Sequence, residues 1–279
     1  MESKNLLICP ICKKTLFPAG NSLKCESNHS YDFAKSGYIN LLNPGKKNNA
    51  KAGDSKEMIS ARTTFFASCA YKPIQDKLCA LVGALRPALA VDAGCGEGYY
   101  TEAIAKSNPS ATVIGFDMSK FGCEHGAKSA KSNGITNTFY SVSNIFDMPL
   151  ENSCADVIVN MFAPVADEEF YRILKNGGYL IIGASGKEHL IGLKRAIYDT
   201  AYLNEPNEHS YKGFELVGCE NLKYDASICG KDIIFSLFQM TPYFHRTSLA
   251  DKEKLLSLDS LETTVEVDFF ILKKQMPSD

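Results

Sequence analysis

Beyond residue 86, short apolar runs alternate with longer amphipathic segments. Five runs have the length and apolar character of buried strands, and they lie at residues 89–92, 112–117, 137–142, 157–161 and 179–184. Three segments between them have helical spacing, and they lie at residues 99–107, 119–133 and 167–174. Because the predicted strands are apolar on both faces, the pattern indicates an α/β fold with a parallel sheet covered by helices on each side.

A stretch rich in Gly, Asn, Pro and Lys separates this region from the start of the chain. It covers residues 43–55 and contains no apolar residue larger than alanine, which is typical of a linker. Asp54 and Glu57 resemble a capping box and predict a helix over residues 55–69, and Pro73 begins a second predicted helix that ends at residue 84. The sequence therefore predicts three parts: an N-terminal module 1–43, a linker with connecting helices 44–85, and a main domain 86–279.

Four candidate metal ligands lie in the N-terminal module. They form two close pairs, Cys9-x2-Cys12 and Cys25-x3-His29, with twelve residues between the pairs. Each pair has the spacing of a zinc knuckle, and the intervening residues are long enough for a hairpin that brings the pairs together. Four unrelated core residues or a redox Cys-x-x-Cys motif are the alternatives, but a redox motif needs no second pair. Four protein ligands predict a closed, structural Zn²⁺ site.

A glycine-rich turn connects the first predicted strand of the main domain to its first predicted helix. Gly94, Gly96 and Gly98 allow a tight turn and the close approach of a ligand to the backbone. Their spacing differs from the dinucleotide fingerprint, and Asp92 at the strand end disfavours a pyrophosphate. An acidic residue there suits a ligand that carries an ammonium group and no phosphate, and S-adenosylmethionine fits this description.

Residues after the next two strands complete the candidate cofactor site. Asp117 is placed to accept hydrogen bonds from both ribose hydroxyls, although a helix N-cap explains this residue alone equally well. Met118 would then border the adenine, and Asn144 is placed to reach the adenine amino group. The sequence has no Walker lysine motif, which excludes a P-loop ATPase.

The formal charge of −2 is unevenly distributed over the 279 residues. Residues 1–60 carry nine lysines and five acidic residues, a local charge of +4, and the remainder carries −6. The asymmetry predicts that the N-terminal module faces any polyanionic partner, although a solvated lysine-rich surface explains it equally well.

Targeting signals are not evident in the sequence. Spanning a bilayer takes ~20 apolar residues, which no run approaches, and the first residues lack the features of a signal peptide. We therefore expect a cytoplasmic protein with no membrane contact. Because disulfides are rare in that compartment, clustered cysteines are expected to bind metal, Cys95 lies in the glycine turn, and the other six are expected in the core.

Several motifs, in order along nearly the whole chain, resemble the bacterial 23S rRNA (guanine-N1)-methyltransferases. They include the Cys9-Pro-x-Cys12 and Cys25-x3-His29 pairs, Asp32-x-Ala34-Lys35-x-Gly37-Tyr38, Gly94-Cys-Gly-Glu-Gly-Tyr-Tyr-Thr101 and Gln239-Met-Thr-Pro242. The resemblance implies a Rossmann-like S-adenosylmethionine-dependent methyltransferase domain with an N-terminal zinc-ribbon or zinc-finger module that helps to hold RNA. It also implies methylation of N1 of a guanine in a hairpin of the large-subunit rRNA.

The resemblance further implies roles for individual residues. The zinc ligands are Cys9, Cys12, Cys25 and His29, and the cofactor contacts include Gly96, Glu97, Tyr71 and His189. Packing at a helix start is an alternative for Tyr71, and a solvated ring is an alternative for His189. The stretch around Asn144 departs from the family pattern. The residues available to contact RNA are Lys13, Lys14, Lys24, Lys35, Lys46, Lys47, Lys51, Phe17, Tyr31, Phe33 and Tyr38.

Guanine N1 carries a proton at neutral pH, so transfer of a methyl group to it requires that this proton be removed. The loop after the fourth predicted strand is where this fold presents the target atom. We assign Asn160 as a positioning residue and Asp167 as a candidate general base, although an acidic first helical turn also explains Asp167. Two alternatives are a methyltransferase of a small molecule or protein with a purely structural zinc module, and a non-catalytic RNA-binding factor. The sequence leaves a homodimer open.

Overall fold

The computed structural model describes residues 6–43, 45, 53–207, 209–244 and 246–276. Lys46, Lys47 and Lys51, three of the candidate RNA contacts, lie outside the described residues. No helix in the described ranges has the length and apolar character needed to cross a membrane.

The described residues form eleven strands and eight helices. The strands are β1 (Phe17–Ala19), β2 (Ser22–Lys24), β3 (Ser30–Asp32), β4 (Ile39–Asn40), β5 (Leu89–Ala93), β6 (Thr112–Asp117), β7 (Thr138–Val142), β8 (Ala155–Met161), β9 (Leu174–Ser185), β10 (Phe214–Cys229) and β11 (Ser260–Lys274). The helices are α1 (Lys56–Ala67), α2 (Lys72–Leu85), α3 (Tyr99–Ser107), α4 (Lys120–Ser132), α5 (Asp167–Ile173), α6 (Ile191–Ile197), α7 (Lys231–Gln239) and α8 (Leu249–Leu256).

The main sheet has eight strands in the order β10-β11-β9-β8-β5-β6-β7-β4. Its five central strands, β5 to β9, are parallel, which confirms the predicted α/β class. The chain passes from β5 outward through β6 and β7, then returns to β8 on the other side of β5. This reversal places the loops after β5 and β8 on opposite sides of a crevice at the carboxyl edge of the sheet, where α/β proteins bind ligands.

The two long strands β10 and β11 pair antiparallel at one edge, and the sequence analysis did not predict them. β11 also pairs antiparallel with β9. The edge strand β10 is mostly exposed or half-buried, so it needs few apolar residues and shows no buried-strand pattern. This is why its sequence gave no signal of the kind that identified β5 and β6.

The N-terminal module and the main sheet share one core. The module has its own three-stranded sheet, β1-β2-β3. Its fourth strand, β4, instead belongs to the main sheet, where it pairs in parallel with β7. Leu7, Leu16 and Leu23 are fully buried in the same apolar cluster as Val91 of β5. The module is therefore packed onto the sheet, and its predicted boundary at residue 43 does not separate two cores.

The scattered cysteines follow the prediction only in part. Cys123 and Cys154 are buried and Cys79 is half-buried, but Cys69, Cys219 and Cys229 are exposed. The expectation of a core position is wrong for these last three. Cys219 and Cys229 lie on the exposed edge strand β10, where a small side chain needs no apolar surroundings.

Tyr140 of β7 is 2% exposed and packs against three glycines. A Cβ at Gly98 would lie 2.7 Å from its hydroxyl oxygen, and one at Gly126 would lie 2.5 Å from its ring. A Cβ at Gly115 would approach the same ring to 3.1 Å. The tyrosine ring therefore packs α4 and the start of α3 tightly against the sheet, because none of these glycines has a side chain.

We predict that Gly126→Ala destabilises the protein by roughly 1–3 kcal/mol, because the new methyl group overlaps a buried ring that has little room to move. Gly83→Ala in α2 is the matched control, since its Cβ would lie 3.7 Å from the closest atom. There we expect no loss, and a gain of up to about 1 kcal/mol from helix propensity. Urea unfolding of both variants measures the difference, and equal effects would contradict the packing argument.

Candidate functional site

A cavity of about 1090 Å³ opens at the carboxyl edge of the sheet, between the loops that follow β5 and β8. Eight of the ten residues predicted to bind the cofactor line it: Tyr71, Gly94, Gly96, Glu97, Asp117, Met118, Asn144 and His189. These residues come from the N-cap of α2, from the end of β6, and from the loops after β5, β6, β7 and β9. The topology thus brings together residues that are more than a hundred positions apart.

The other two predicted cofactor residues, Asp92 and Gly98, do not line the cavity. Asp92 is 1% exposed, and its carboxylate accepts a 2.6 Å hydrogen bond from the hydroxyl of Thr101 on α3. Burial raises the pKa of Asp92 to about 7. Gly98 has a φ of +93° and immediately precedes α3. Both residues therefore stabilise the glycine turn without lining the cavity. Their assignment as direct cofactor contacts stays a prediction.

The glycine turn itself is held by Asp117. The backbone N–H groups of Gly96 and Ser119 donate to its two carboxylate oxygens at 2.9 and 2.6 Å. Burial raises the pKa of Asp117. Ser119, and not Asp117, is the N-cap of α4, because its hydroxyl accepts a hydrogen bond from the N–H of Gly122. The N-cap alternative for Asp117 is therefore wrong.

Gly94 and Gly96 both have positive φ, at +87° and +54°. A Cβ on Gly94 would lie 2.7 Å from the Cβ of Ala163, so the loop after β8 crosses directly over this glycine. Gly96 faces open space instead, with no atom within 4 Å of a Cβ built on it. Of the three glycines, Gly96 is the one that lets a ligand approach the backbone.

Tyr71 and His189 form a buried pair on another wall of the cavity. The Tyr71 hydroxyl lies 3.0 Å from Nε2 of His189, and the backbone N–H of Glu266 donates to Nδ1 at 3.3 Å. Burial lowers the pKa of His189 to about 4, so the imidazole is neutral at pH 7. Because Nδ1 accepts a hydrogen bond, the proton is on Nε2, and Tyr71 is the acceptor from His189. The tyrosine hydroxyl can therefore donate its own proton to a ligand.

The alternative interpretation is wrong for His189 and confirmed for Tyr71. His189 is 6% exposed and its ring stacks on Phe162, so a solvated ring is wrong. Tyr71 does pack at the start of α2, where its ring meets Phe65 edge-on at 4.9 Å. Helix-start packing and a place in the cavity wall are thus both properties of Tyr71.

Three further residues line the cavity that were not predicted to belong to the site: Asp54 at the end of the predicted linker, and Arg62 and Phe66 in the predicted connecting helix 55–69. Ser55 is the N-cap of α1, and Asp54 instead accepts a 2.5 Å hydrogen bond from Nε of Arg62. The capping box predicted with Asp54 is therefore wrong by one residue. The available signal was Arg62 itself, a basic residue in the middle of α1 between the apolar positions Ala61 and Phe65.

Asn160 lies beneath the cavity floor. It is fully buried, and its side-chain amide donates to the carbonyls of Ala93 and Pro164 at 3.0 and 3.2 Å. Its Oδ1 has no hydrogen-bond partner among the described residues. Asn160 thus joins the loop after β8 to the end of β5, a positioning role within the protein.

The candidate base Asp167 lies in the first turn of α5. It is not among the residues that line the cavity. The carboxylates that do line it belong to Asp54, Glu97 and Asp117. The assignment of Asp167 as a general base stays a prediction, and its position does not support it.

The four candidate zinc ligands converge at the other functional centre. The ligand atoms of Cys9, Cys12, Cys25 and His29 all lie within 4.8 Å of one another. Nδ1 of His29 lies 3.4 Å from the sulfur atoms of both Cys9 and Cys25. Three thiolates and one imidazole are a donor set that suits a tetrahedral Zn²⁺ site with no open position. A backbone hydrogen bond from Lys14 lowers the pKa of Cys12 to about 6, which favours the thiolate.

The N-terminal module, which holds the four candidate zinc ligands and is called the zinc module from here on, contacts the rim of the cavity. Lys13 forms a 2.8 Å ion pair with Asp147, and Thr15 donates to Glu151 at 3.0 Å. Both acidic residues belong to the loop after β7, which also carries Asn144 and Phe146 of the cavity lining. The zinc ligands and the cofactor cavity are therefore joined through one loop.

Of the candidate stacking residues in the zinc module, one is well exposed. The ring of Phe17 is 48% exposed. Tyr38 is buried, Phe33 packs edge-on against Phe139 at 6.1 Å, and the hydroxyl of Tyr31 lies 3.2 Å from Cys9 Sγ. These three rings therefore serve mainly to pack the module.

Comparison with known proteins gives two family matches. Residues 88–239 match a family described as a methyltransferase domain, and residues 7–51 match one described as the zinc-ribbon N-terminal domain of RlmA. The chain is 31% identical over 196 residues to the 23S rRNA (guanine(748)-N(1))-methyltransferase of Streptomyces fradiae, covering 68% of this chain and 67% of that protein.

Two further relatives have been provisionally assigned to the same class of enzyme. A Micromonospora griseorubida protein, provisionally named 23S rRNA (guanine-N(1)-)-methyltransferase, is 32% identical over 67% of this chain and 68% of its own length. The Bacillus subtilis (strain 168) protein YxjB, provisionally given the same name, is 27% identical over 94% of this chain and 95% of its own length.

We predict that Cys25→Ser abolishes tight zinc binding, because it removes one of the four convergent ligands. The wild-type chain should carry about one Zn²⁺, and the variant close to none after dialysis. Elemental analysis of the purified proteins measures this. Cys229→Ser, at an exposed cysteine outside the cluster, is the matched control and should keep its zinc. Equal zinc content in the wild type and Cys25→Ser would rule out this site.

Proposed function

Since the chain belongs to the family of 23S rRNA (guanine-N1)-methyltransferases, we propose that it transfers the methyl group of S-adenosylmethionine to N1 of a guanine in a hairpin of 23S rRNA. The main support for the proposal is that eight of the ten residues predicted to bind this cofactor line one cavity. A zinc module of the family type lies against the rim of this cavity.

The residues of the cavity fit the parts of this cofactor. Gly96 leaves its backbone open beside the turn, and Asp117 lies at the end of β6, where a carboxylate meets a ribose. Glu97 supplies a carboxylate for the methionine ammonium group, and Tyr71 presents a hydroxyl donor. When bound, S-adenosylmethionine supplies a methyl group activated by a positive sulfonium, so much of the rate enhancement comes from alignment of the acceptor.

Exposed aromatic rings at the cavity mouth suit a base taken out of a hairpin. Phe146 and Phe162 line the cavity and are 56% and 40% exposed, on the loops after β7 and β8. Phe162 has a φ of +53°, and its ring stacks on His189. Unpaired bases in RNA are commonly held by stacking on such rings. We assign Phe146 and Phe162 as stacking surfaces for the target guanine or its neighbour.

The zinc module would hold the RNA outside the cavity. Lys24 and Lys35 are exposed on it, and Phe17 adds an exposed ring. Phosphate contacts by such lysines contribute affinity without sequence selectivity. Because the proposed substrate is 23S rRNA, we place the protein in the cytoplasm. A homodimer stays a prediction.

We predict that a strain without this protein lacks one N1-methylguanine in 23S rRNA. Mass-spectrometric mapping of the rRNA measures the mark. The wild-type gene should restore it, and a gene with Asp117→Ala should not, because the glycine turn loses the carboxylate that holds it.

Two results would contradict this proposal. An unchanged methylation map would exclude rRNA as the substrate and would favour a small-molecule or protein acceptor. Restoration of the mark by Asp117→Ala would show that the methyl transfer does not take place in the cavity at the carboxyl edge of the sheet.

The pKa of Glu97 predicts a pH dependence of cofactor binding. Burial raises the pKa of Glu97 to about 7, so its carboxyl is mostly protonated at pH 6 and mostly ionised at pH 8. Because an ammonium group binds the ionised form better, affinity for S-adenosylhomocysteine should increase roughly five- to tenfold from pH 6 to pH 8. Glu97→Gln should bind more weakly at pH 8 and show little change with pH. Calorimetric titration measures both, and an equal pH dependence in the variant would contradict the role of Glu97.

A further inference from the structure

Arg62 is the one Lys or Arg among the described residues that line the cavity. It lies on α1, and its side chain is 28% exposed. Three carboxylates, those of Asp54, Glu97 and Asp117, line the same cavity and interact electrostatically with the guanidinium. One partly buried cation therefore lies among three anions in the cavity wall.

The hydrogen bonds of Arg62 leave part of its guanidinium available. Its Nε donates to Oδ2 of Asp54 at 2.5 Å. Neither of its Nη atoms donates to any other residue that the structure describes. A guanidinium binds carboxylates through two parallel hydrogen bonds, and the Nη pair has the geometry for one such contact.

Arg62 also lies near the residues that the family resemblance assigns to the cofactor. Its charge interacts with Glu97 on the glycine turn and with Tyr71 at the start of α2. The methionine part of S-adenosylmethionine carries an ammonium group and a carboxylate on the same carbon. If the ammonium group faces Glu97, the carboxylate on the same carbon lies beside it, where a cation would stabilise it.

We propose that the guanidinium of Arg62 binds the methionine carboxylate of S-adenosylmethionine, so that α1 forms one wall of the cofactor site. This inference rests on the proposed function, because it takes S-adenosylmethionine as the ligand. The zwitterionic end of the methionine then matches a cation and an anion that are both fixed in the cavity wall. An RNA phosphate fits less well, because it offers no positive group to the three surrounding carboxylates.

The test compares two ligands that differ in one group. S-Adenosylhomocysteine has both the ammonium group and the carboxylate, and its decarboxylated analogue, S-adenosyl-3-thiopropylamine, retains only the ammonium group. Calorimetric titration of the full chain with each ligand gives four affinities for the wild type and Arg62→Met. Arg195→Met is the matched control, since Arg195 is exposed on α6 and does not line the cavity.

We expect Arg62→Met to weaken S-adenosylhomocysteine binding by roughly 10- to 100-fold, as loss of a charge-assisted bidentate contact does. The affinity for the decarboxylated analogue should change by less than about threefold, and Arg62→Lys should bind S-adenosylhomocysteine with intermediate affinity. Arg195→Met should match the wild type with both ligands.

The outcomes separate this inference from the proposed function. Equal weakening of both ligands by Arg62→Met would overturn the carboxylate contact and leave Arg62 as a structural partner of Asp54. An unchanged affinity for S-adenosylhomocysteine would overturn it as well. A wild-type chain that binds neither ligand would instead refute the cofactor of the proposed function. Thermal unfolding of each variant checks that the fold is retained.

Discussion

The geometry of the cavity depends on the carboxylate of Asp117. It accepts hydrogen bonds from the backbone of Gly96 in the glycine turn and from Ser119 at the start of α4. Ser119 in turn donates its hydroxyl proton to the backbone carbonyl of Asp54, ahead of α1. One buried acidic side chain and its neighbour thus connect three segments that are far apart in sequence. Because the loops are fixed to one another, they are positioned before a ligand arrives.

The zinc module belongs to the same mechanical unit. Its hairpin packs its leucines into the core of the main sheet, and β4 extends that sheet beyond β7. Lys13 and Thr15 then hold the loop after β7, which supplies Asn144 and Phe146 to the cavity. A segment this small cannot bury enough apolar surface to fix such contacts alone, and a metal ion that links the Cys9–Cys12 pair to the Cys25–His29 pair compensates for this. The zinc site is therefore structural in its chemistry but acts on the geometry of the cavity rim.

The sequence predicted those elements whose structure is determined by residues close together in the chain. Strand β6 and helix α3 have the predicted bounds, because burial on both faces and helical spacing are visible over a few residues. The zinc pairs were visible for the same reason. Edge strand β10 was not, because its environment is set by β11, some forty residues later. Arg62 was predicted to lie in a connecting helix over residues 55–69 and was given no place in the site, because only the tertiary fold brings it near Glu97 and Asp117.

The charges of the cavity also suit the direction of a methyl transfer. Asp54, Glu97 and Asp117 outnumber Arg62, so the lining is anionic once Glu97 has ionised near pH 7. S-Adenosylmethionine carries a positive sulfonium, and the product of transfer is a neutral thioether. Because the carboxylates are partly buried, their attraction for that extra charge is less screened than it would be in water. With S-adenosylmethionine bound as proposed, these three carboxylates would attract its charged sulfonium more strongly than they attract the neutral thioether of the product.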